Sequence, residues 1–375
     1  MKLVIIHPFV NDLGGATYVV GRIAKHFDAK IYCIDYDLKK TFSFFNDVEI
    51  ERLPSPSFLK ALPPRLYMGV ASGISFYFSK IKDYDVINAH GTPSEWIRNN
   101  NPRVVWYCHS PNREAFDLYE WRMKQRSLLQ KIPFWLSIEA FKSIEYSIVP
   151  RIEYIFANSK NTQGRIKKYL NREAEILYPV FEQGRFENES YKSYFLYPSR
   201  IIPEKRFEFA IQAFKLFKKK MKGKKRWKLI ISGFLSDRPE HRAYYNYLLS
   251  LKDEDIEFKL NVSDKELKEL YGNAYAILFS PINEDFGMIP LEGFMAEKPC
   301  IAVNEGGPRE TVDDGKDGFL VNTPEEMADK MLYLAERPEL VERMGKEGKK
   351  KLSGKFSEKR FFERLNNIFK EIARK

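Results

Sequence analysis

The 375-residue sequence is poor in cysteine and has no long hydrophobic run. Cys33, Cys108 and Cys300 lie far apart and form no CxxC pair, which argues against a structural zinc site and fits a reducing compartment. The longest uncharged run covers residues 66–79, and a membrane-spanning helix needs about 20 apolar residues. No charged and apolar leader precedes the first strand-like run, so we expect no signal peptide and a cytoplasmic protein.

A dinucleotide-binding motif and a catalytic nucleophile are also missing. The loop Asn11–Thr17 has paired glycines after the first strand-like run, but it is not GxGxxG, so the dinucleotide fingerprint is absent. Cys108 and His109 do not form a nucleophile pair, because adjacent residues of a strand face opposite sides of the sheet. No other side chain stands out as a covalent nucleophile.

The chain is long enough for two domains, and its pattern predicts two similar ones. Strand-like and helix-like segments alternate twice, and a polar stretch at residues 181–193 separates the two series. We therefore predict two doubly wound α/β domains, over residues 1–185 and 186–355, that face a cleft. A final helix at 356–375 is expected to cross back to the first domain. Ligands of such sheets bind beyond the carboxyl ends of the strands, so motifs that directly follow strands are the candidates for function.

The net charge of +11 suggests anionic partners, and the densest basic run is Lys215–Lys228. A solvated helix end and turn explains this run, and contact with anionic lipid headgroups is the second interpretation. Nucleic acid is not expected, since aromatic residues are not interleaved as stacking platforms. The segment 119–141 mixes aromatic and basic residues and also predicts peripheral membrane contact.

Three motifs follow predicted strands and offer groups that bind anions. Gly14 and Gly15 allow close approach of the backbone to a ligand, at the start of a helix. His109 ends a strand, where it faces either a ligand or an ordinary hydrogen-bond partner. Arg200 and Lys205 follow the first strand of the second domain, where a guanidinium and an ammonium suit a diphosphate.

Two carboxylates and a second pair of glycines follow later strands. Glu284 precedes a helix-like run, and Glu292 lies within it. A spacing of eight residues covers slightly more than two helical turns, about 12 Å of rise. That is too far for a glycosidase acid–base pair, so the two side chains are expected to contact different parts of one extended ligand. Gly306 and Gly307 follow a strand-like run, and Pro308 then opens a short helix, where amide donors could hold a phosphate or a sugar hydroxyl.

These motifs, in this order, resemble family 4 of the retaining glycosyltransferases, which have the GT-B architecture of two Rossmann-like domains. Glu284 and Glu292 match the E-x7-E signature, and Arg200 and Lys205 match the family's Arg…Lys pair. The segment 306–321 is similar to the donor-domain loop and helix of that family. "FANSKNTQGRIKKYL" and the first Gly-Gly loop agree with its acceptor domain, and the likeness is weakest over residues 40–100.

A narrower likeness joins the chain to mannosyltransferases that build O-antigen and lipid-linked oligosaccharides from GDP-mannose. It rests on "CHSPNREAFD", "SRIIPEKRFEFAIQAF", "EDFGMIPLEG" and "GGPRETV". The sequence departs from the family at Thr17, where an acidic residue is common, at Asp317, where threonine is usual, and at Gly293, where alanine is usual. Two alternatives stay open beside the mannosyltransferase. The residues that recognise the base are not legible in the sequence, so a UDP-sugar-dependent transferase of the same fold is the first, and a non-catalytic protein that binds a sugar nucleotide is the second.

The resemblance implies a role for each motif. Arg200 and Lys205 would hold the nucleotide diphosphate, Glu292 the ribose, and Glu284 the hydroxyls of the transferred sugar. His109 would lie beside the sugar at the reaction centre. The implied catalytic residues are His109, Glu284, Arg200 and Lys205, and the implied donor-binding residues are Gly14, Gly15, Arg200, Lys205, Glu284, Asp285, Phe286, Gly287, Met288, Glu292, Gly306 and Gly307.

The resemblance implies no cofactor, since the sugar nucleotide is a co-substrate and the acceptor is a lipid-linked or polysaccharide glycan. Asp-x-Asp triplets at 35–37, 83–85 and 253–255 match the metal-binding triplet of the other major glycosyltransferase fold. In so charged a chain such triplets arise by chance, and we expect no metal. The expected partners are a sugar nucleotide, a glycan acceptor and the inner face of the cytoplasmic membrane.

Overall fold

The computed structural model describes residues 1–56, 64–222 and 226–375, and of residues 64–68 it describes the backbone alone. The chain forms two compact units. The first comprises Met1–Phe181 and Glu358–Lys375, and the second comprises Glu182–Ser357.

The first unit is built on a parallel sheet with seven strands, in the order β5-β3-β1-β6-β7-β8-β9. Its strands β1, β6 and β7 are buried along their whole length, as their continuous apolar runs predict for strands covered on both faces. Two further strands, β2 and β4, form a small parallel pair. The strands are β1 (Leu3–Ile6), β2 (Phe9–Val10), β3 (Lys30–Cys33), β4 (Asp35–Tyr36), β5 (Ile50–Arg52), β6 (Val86–His90), β7 (Val104–Cys108), β8 (Tyr154–Ala157) and β9 (Glu175–Ile176).

Helices and short 3-10 turns connect these strands. Ser159 caps the helix α5, since its side chain accepts from the amide of Thr162. The helices are α1 (Gly15–Phe27), α2 (Pro64–Phe78), α3 (Tyr119–Lys124), α4 (Leu128–Ile148) and α5 (Lys160–Leu170), and the 3-10 turns are Leu38–Lys40, Ser43–Asp47, Ser94–Asn99 and Val149–Arg151.

The second unit has a parallel sheet with six strands, in the order β12-β11-β10-β13-β14-β15. Counted from the first strand of each unit, both sheets begin 3-2-1-4-5-6, the order of the Rossmann fold. Successive crossovers therefore reverse direction between β1 and β6 in the first unit and between β10 and β13 in the second. The strands are β10 (Tyr194–Pro198), β11 (Lys228–Gly233), β12 (Ile256–Leu260), β13 (Ala276–Phe279), β14 (Cys300–Val303) and β15 (Gly318–Val321).

In the part of the second unit that the structure describes, helices lie between these strands and after the last of them. The helix α6 follows the 3-10 turn that carries Lys205, and α9 begins at Met288, after the loop that carries Glu284. The bounds are α6 (Phe207–Met221), α7 (Pro239–Ser250), α8 (Asp264–Asn273), α9 (Met288–Met295), α10 (Pro308–Thr311), α11 (Pro324–Ala335) and α12 (Pro338–Lys355), with a 3-10 turn at Pro203–Lys205.

The last helix, α13 (Glu358–Ala373), belongs to the first unit. One face of α13 is apolar and lies in the core that the first sheet shares with α1. Arg364 Nε donates to Glu175 Oε1 over 2.6 Å, and Arg22 of α1 pairs with Glu358. Among the described residues, no helix is both long and apolar enough to cross a membrane.

Candidate active site

The second unit brings a predicted pair together at the point where its strand order reverses. Lys205 lies in the connection after β10, and Glu284 lies in the loop after β13. Lys205 Nζ lies 2.7 Å from Glu284 Oε2, although 79 positions separate the two residues. Both side chains keep some exposure, 11% for Lys205 and 20% for Glu284. A cation and an anion thus lie side by side where ligands bind to doubly wound sheets.

A buried tyrosine holds the backbone of Lys205. Tyr197 is the fourth residue of β10, and its hydroxyl donates to the carbonyl of Lys205 and accepts from the amide of Ser280 over 3.0 Å. Burial raises the pKa of Tyr197, so the phenol stays protonated and keeps this donor. The amide of Ile282 also donates to the carbonyl of Glu204 over 2.8 Å. The two loops that carry Lys205 and Glu284 are therefore joined by their backbones.

Arg206 and Glu305 brace the same loops, and the sequence motifs did not identify either residue. Arg206 donates to the carbonyls of Ser280 and Pro281 over 2.8 and 3.1 Å, and to Glu305 Oε1 over 2.8 Å. Glu305 Oε2 accepts from the amide of Asn283 over 3.1 Å. The available signal was position, since Arg206 directly follows Lys205 and Glu305 directly precedes the Gly-Gly pair.

Gly306 and Gly307 lie against the backbone of the loop 281–287. A Cβ atom on Gly306 would lie 2.4 Å from the carbonyl oxygen of Glu284, and one on Gly307 would lie 2.1 Å from that of Phe286. The amide of Gly307 donates to the Glu284 carbonyl over 2.8 Å. Glycine is required at both positions because a side chain would overlap the backbone of the loop. The Gly307 amide makes a hydrogen bond within the protein, so it does not serve a ligand alone.

Glu292 is not separated from Glu284 by a continuous helix. Residues 281–287 form a loop, Gly287 has a φ of 87°, and α9 begins at Met288. Helical rise therefore does not set the separation of the two carboxylates, because the chain turns before α9 begins. Glu292 accepts from the Tyr271 hydroxyl, and burial raises the pKa of Glu292.

The remaining predicted donor residues lie in or beside this loop, and Arg200 follows β10. Asp285 and the buried Phe286 precede Gly287, and Met288 opens α9. Arg200 is exposed. Its neighbour Ser199 lies against Gly233, where a Cβ atom would be 1.7 Å from the Ser199 carbonyl oxygen. Gly233, which the motifs did not single out, therefore permits the path of the chain that leads to Arg200.

In the first unit, His109 lies in a cluster of three histidines. His7 directly follows β1, His90 ends β6, and His109 directly follows β7. His90 Nδ1 lies 3.1 Å from His109 Nε2, and His7 Nδ1 lies 3.0 Å from the His90 carbonyl oxygen. The sequence carried a signal for this cluster, because three apolar strand-like runs each end on histidine, but only His109 was identified.

Gly14 and Gly15 lie at the start of α1, where the side chain of Asp12 accepts hydrogen bonds from the first residues of the helix and the residue before it. Asp12 Oδ1 accepts from the Gly14 amide over 3.0 Å and from the Thr17 hydroxyl over 2.5 Å. Thr17, at a position where the family commonly has an acid, thus binds a carboxylate that comes from Asp12.

The other two departures from the family pattern have local structural reasons. Asp317 is buried, pairs with Lys351 and accepts from the Asp313 amide over 2.8 Å. A Cβ atom on Gly293 would lie 2.6 Å from Ile277 Cγ1, so the helix–strand packing favours glycine. Both positions concern packing of the second unit and not its charged site residues.

The Asp-x-Asp triplets form ordinary surface contacts where the structure describes their partners. Asp35 pairs with Arg52, Asp37 caps the 3-10 turn Leu38–Lys40, and Asp253 pairs with Lys218. In the described part of the chain, no group of three histidine, cysteine or acidic residues could hold a metal ion.

Carboxylates neutralise much of the basic run Lys215–Lys228. Lys218 pairs with Asp255, which also accepts from Arg226 Nε over 2.9 Å, and Lys220 pairs with Asp329. Residues 223–225 of the run lie outside the described residues.

Comparison with known proteins places these motifs in context. The family model "Glycosyl transferases group 1" matches residues 181–351. The α-1,3/1,6-mannosyltransferase ALG2 of Dictyostelium discoideum is 28% identical over 315 residues, which cover 72% of this chain and 71% of that protein.

Two solved structures are similar over nearly their whole length. HepE from Anabaena, in complex with UDP and glucose, matches with a TM-score of 0.73 and 15% identity over 99% of this chain and 100% of that one. Sucrose-phosphate synthase from Thermosynechococcus elongatus matches with a TM-score of 0.78 and 15% identity over 99% of both chains. At such identities the likeness concerns the fold alone.

Proposed function

We propose that this chain, a retaining glycosyltransferase of family 4 with the GT-B fold, transfers mannose from GDP-mannose to a hydroxyl of a lipid-linked or polysaccharide glycan. The family model confirms the glycosyltransferase that the motifs predicted. The structural matches confirm the predicted fold. Mannose is favoured because the similar protein from Dictyostelium is an α-1,3/1,6-mannosyltransferase.

The observation that carries this proposal is the contact between Lys205 and Glu284 at the reversal of the strand order. A donor needs a cation for its diphosphate and an acceptor for its sugar hydroxyls, and these two side chains supply both. We assign the diphosphate to Arg200 and Lys205, the sugar to Glu284 and the ribose to Glu292. When the bond to the sugar breaks, negative charge grows on the diphosphate, and the two cations stabilise that charge.

The first unit contributes His109 and the Gly14–Gly15 loop in this proposal. His109 binds the transferred sugar, and the two glycines allow the backbone to approach the donor phosphates. We further propose that transfer needs neither a metal ion nor a protein nucleophile, since the two cations can offset the leaving-group charge.

Substitution of the two cations tests the assignment. We expect Lys205→Ala and Arg200→Ala each to weaken GDP-mannose binding tenfold or more, because loss of one charge-assisted hydrogen bond costs about 1.5–3 kcal/mol. Lys228→Ala is the matched control, because Lys228 begins β11 at the opposite, amino edge of the same sheet and pairs with Glu257. Unchanged donor binding in both site variants would contradict the assignment.

A UDP-sugar is the alternative donor, and HepE, a structural neighbour, is solved with UDP and glucose. Thermal shift with GDP, UDP and their sugar conjugates distinguishes the two donors. A ligand at a hundredfold excess over its Kd stabilises the protein by about 2.7 kcal/mol. Stabilisation by GDP-mannose, followed by mannose transfer to a polyprenyl-linked glycan, supports the proposal. Stabilisation by UDP-sugars alone supports the alternative, and no shift with any sugar nucleotide would indicate a non-catalytic protein.

We also propose peripheral contact with the inner face of the cytoplasmic membrane, through the first half of α4. Leu128 and Leu129 are 80% and 89% exposed, and Ile132, Trp135 and Leu136 on the same face are exposed as well. Successive helical turns place these five side chains in one stripe. We call them the α4 apolar stripe.

The surroundings of the α4 apolar stripe favour a lipid surface with anionic headgroups. Ile138, on the other face of the helix, is buried, and Phe134 and Phe141 pack against the core, so the stripe is not part of that core. Lys124, Arg126 and Lys131 are close to the stripe in sequence, and no acidic residue occurs from 121 to 138. Apolar side chains with tryptophan and a basic border are typical of helices that lie in the membrane interface.

Vesicle sedimentation tests this contact. We expect binding to vesicles that contain anionic phospholipid, reduced by salt, and loss of binding in the variant Leu128→Ser, Leu129→Ser, Ile132→Ser. Tyr247→Ser removes an exposed aromatic residue of the second unit and serves as the control. The proposal would be overturned if the wild-type protein did not bind vesicles. It would also be overturned if the triple-serine variant changed its oligomeric state while its vesicle binding stayed the same.

A further inference from the structure

The histidine cluster of the first unit includes a buried asparagine whose orientation is determined by its partners. Asn88 lies in β6 opposite Val105 of β7. Its Nδ2 atom donates to the Val105 carbonyl over 3.0 Å, and its Oδ1 atom lies 2.6 Å from His90 Nε2. A backbone carbonyl can only accept, so the amide group must face Val105 and the side-chain oxygen must face His90.

That orientation determines which nitrogen of His90 carries a proton. The amide oxygen of Asn88 can only accept, so His90 Nε2 must be the N–H donor. His90 is fully buried, stacks on Tyr107 and has the bases His7 and His109 as neighbours. Burial, and then the proximity of His109 and His7, hold the pKa of His90 well below its ordinary value. The ring is therefore neutral, and its Nδ1 atom is an acceptor.

The neutral His90 ring in turn determines the tautomer of His109. His90 Nδ1 and His109 Nε2 lie 3.1 Å apart, and one of the two atoms must donate. Because His90 Nδ1 has no hydrogen, His109 Nε2 must carry one. In a neutral His109 ring, Nδ1 is then the acceptor nitrogen.

We infer that Asn88 is a positioning residue, which acts through His90 to hold His109 in the tautomer with hydrogen on Nε2. This inference rests on the proposed function for its consequence. With hydrogen on Nε2, the Nδ1 atom of His109 is an acceptor, which suits a sugar hydroxyl and not a phosphate oxygen. We call the chain of contacts Asn88–His90–His109 the histidine relay. It makes His109 Nδ1 a hydrogen-bond acceptor for sugar hydroxyls.

Nitrogen NMR with isotope-labelled histidine tests the relay without any substrate. The chain has five histidines, so the signals can be assigned by substituting each in turn. We expect the His109 signals of the full-length protein to show hydrogen on Nε2 and a lone pair on Nδ1. A wild-type His109 with hydrogen on Nδ1 would overturn the inference. The substituted proteins serve only to assign the signals, and the tautomer itself is read from the wild-type protein.

Asn88→Asp provides the second test. A carboxylate in place of the amide favours a protonated His90, which then has hydrogen on the Nδ1 atom that faces His109. We expect the His109 hydrogen to move to Nδ1, and kcat for sugar transfer to fall about tenfold, as for loss of one hydrogen bond, while the donor KM changes less. An unchanged His109 tautomer in folded Asn88→Asp would overturn the inference.

Asn101→Asp is the matched control for burial of a carboxylate in the same unit. Asn101 is 1% exposed, and its side chain bonds to Ile81, Ser79 and Ile97, none of which is in the relay. We expect lower stability in this variant but an unchanged His109 tautomer. If the wild-type tautomer is the expected one while no sugar nucleotide binds, the relay stands and the proposed function fails.

Discussion

At the scale of the residue, two buried carboxyl groups distinguish the first unit. Glu95 and Glu145 are both fully buried, and Trp96 Nε1 donates to Glu145 Oε2 over 2.7 Å. Burial raises the pKa of both groups above the ordinary 4.5, and the proximity of Glu145 raises that of Glu95 further. The folded protein thus holds protons that the unfolded chain has already released near neutral pH.

This excess of bound protons predicts how stability depends on pH. The contribution of the pair is fully present below the ordinary pKa and is lost as the pH rises through neutrality. Each unit by which the folded pKa exceeds the unfolded value costs about 1.4 kcal/mol at pH values above both. We expect Glu145→Gln, whose side chain can still accept from Trp96, to flatten the fall in unfolding free energy between about pH 5 and about pH 8.

Denaturant unfolding at several pH values measures this effect. Glu139→Gln changes an exposed carboxylate of the same helix, α4, and should leave the pH profile of the wild type unaltered. If the unfolding free energy of Glu145→Gln depended on pH in the same way as that of the wild type, the raised pKa of the pair in the folded protein would be contradicted.

Site residues differ in how visible they are in the sequence. Arg200, Lys205, Glu284 and Glu292 could be identified because each has a charge and matches a family motif, and the first three follow strand-like runs. Asn88 could not, because it lies inside an apolar strand, where its pattern is that of any core residue. Its relation to His109 depends on contact across neighbouring strands, which the local sequence does not encode.

At the scale of the element, the loop 281–287 is the part of the second unit on which the donor site depends. It carries Glu284, and hydrogen bonds from Arg206 and to Glu305, which also bond to each other, hold its backbone. Gly306 and Gly307 let its backbone lie against the connection after β14. The position of the loop is therefore set by packing from three segments rather than by its own sequence.

We expect Gly307→Ala to displace this loop. Its Cβ atom would lie 2.1 Å from the Phe286 carbonyl oxygen, so the backbone must move. Overpacking of this kind costs about 1–3 kcal/mol of stability, and we expect donor affinity to fall tenfold or more. Calorimetric titration with the sugar nucleotide and thermal unfolding measure the two effects.

Gly354→Ala is the control, since Gly354 lies in α12 and a Cβ atom there meets open space. Alanine favours a helix over glycine by about 1 kcal/mol, so this variant should bind the donor normally and be slightly more stable. Normal donor affinity in Gly307→Ala would mean that the loop does not depend on close contact with Gly307.

At the scale of the whole molecule, the first unit consists of two separate stretches of chain. Residues 358–375 return to it after the second unit is complete. The apolar face of α13 is buried in the first core, with Phe361, Phe362, Leu365, Ile368, Phe369 and Ile372. The stability of the first unit therefore depends on the last residues of the sequence.

We expect deletion of residues 358–375 to unfold the first unit and leave the second unit folded. Six buried apolar side chains contribute about 1.5–3 kcal/mol each, and their sum is about as large as the whole stability of a typical domain, about 5–15 kcal/mol. Calorimetry and limited proteolysis should show a protected fragment near residues 182–357. Removal of Arg374 and Lys375 alone, which are exposed, should change neither unit. A protected first unit in the longer deletion would contradict this dependence.

The sequence by itself determined the class of fold, the two-fold repetition of the strand–helix alternation and the charged residues that follow strands. It could do so because burial of strands and helix caps leave local patterns in the chain. Only the tertiary structure decided which of these residues meet. Lys205 and Glu284, and likewise His90 and His109, come together because the sheet places strands that are distant or separated in sequence next to each other. That order arises from packing and crossover handedness, which no short stretch of sequence contains.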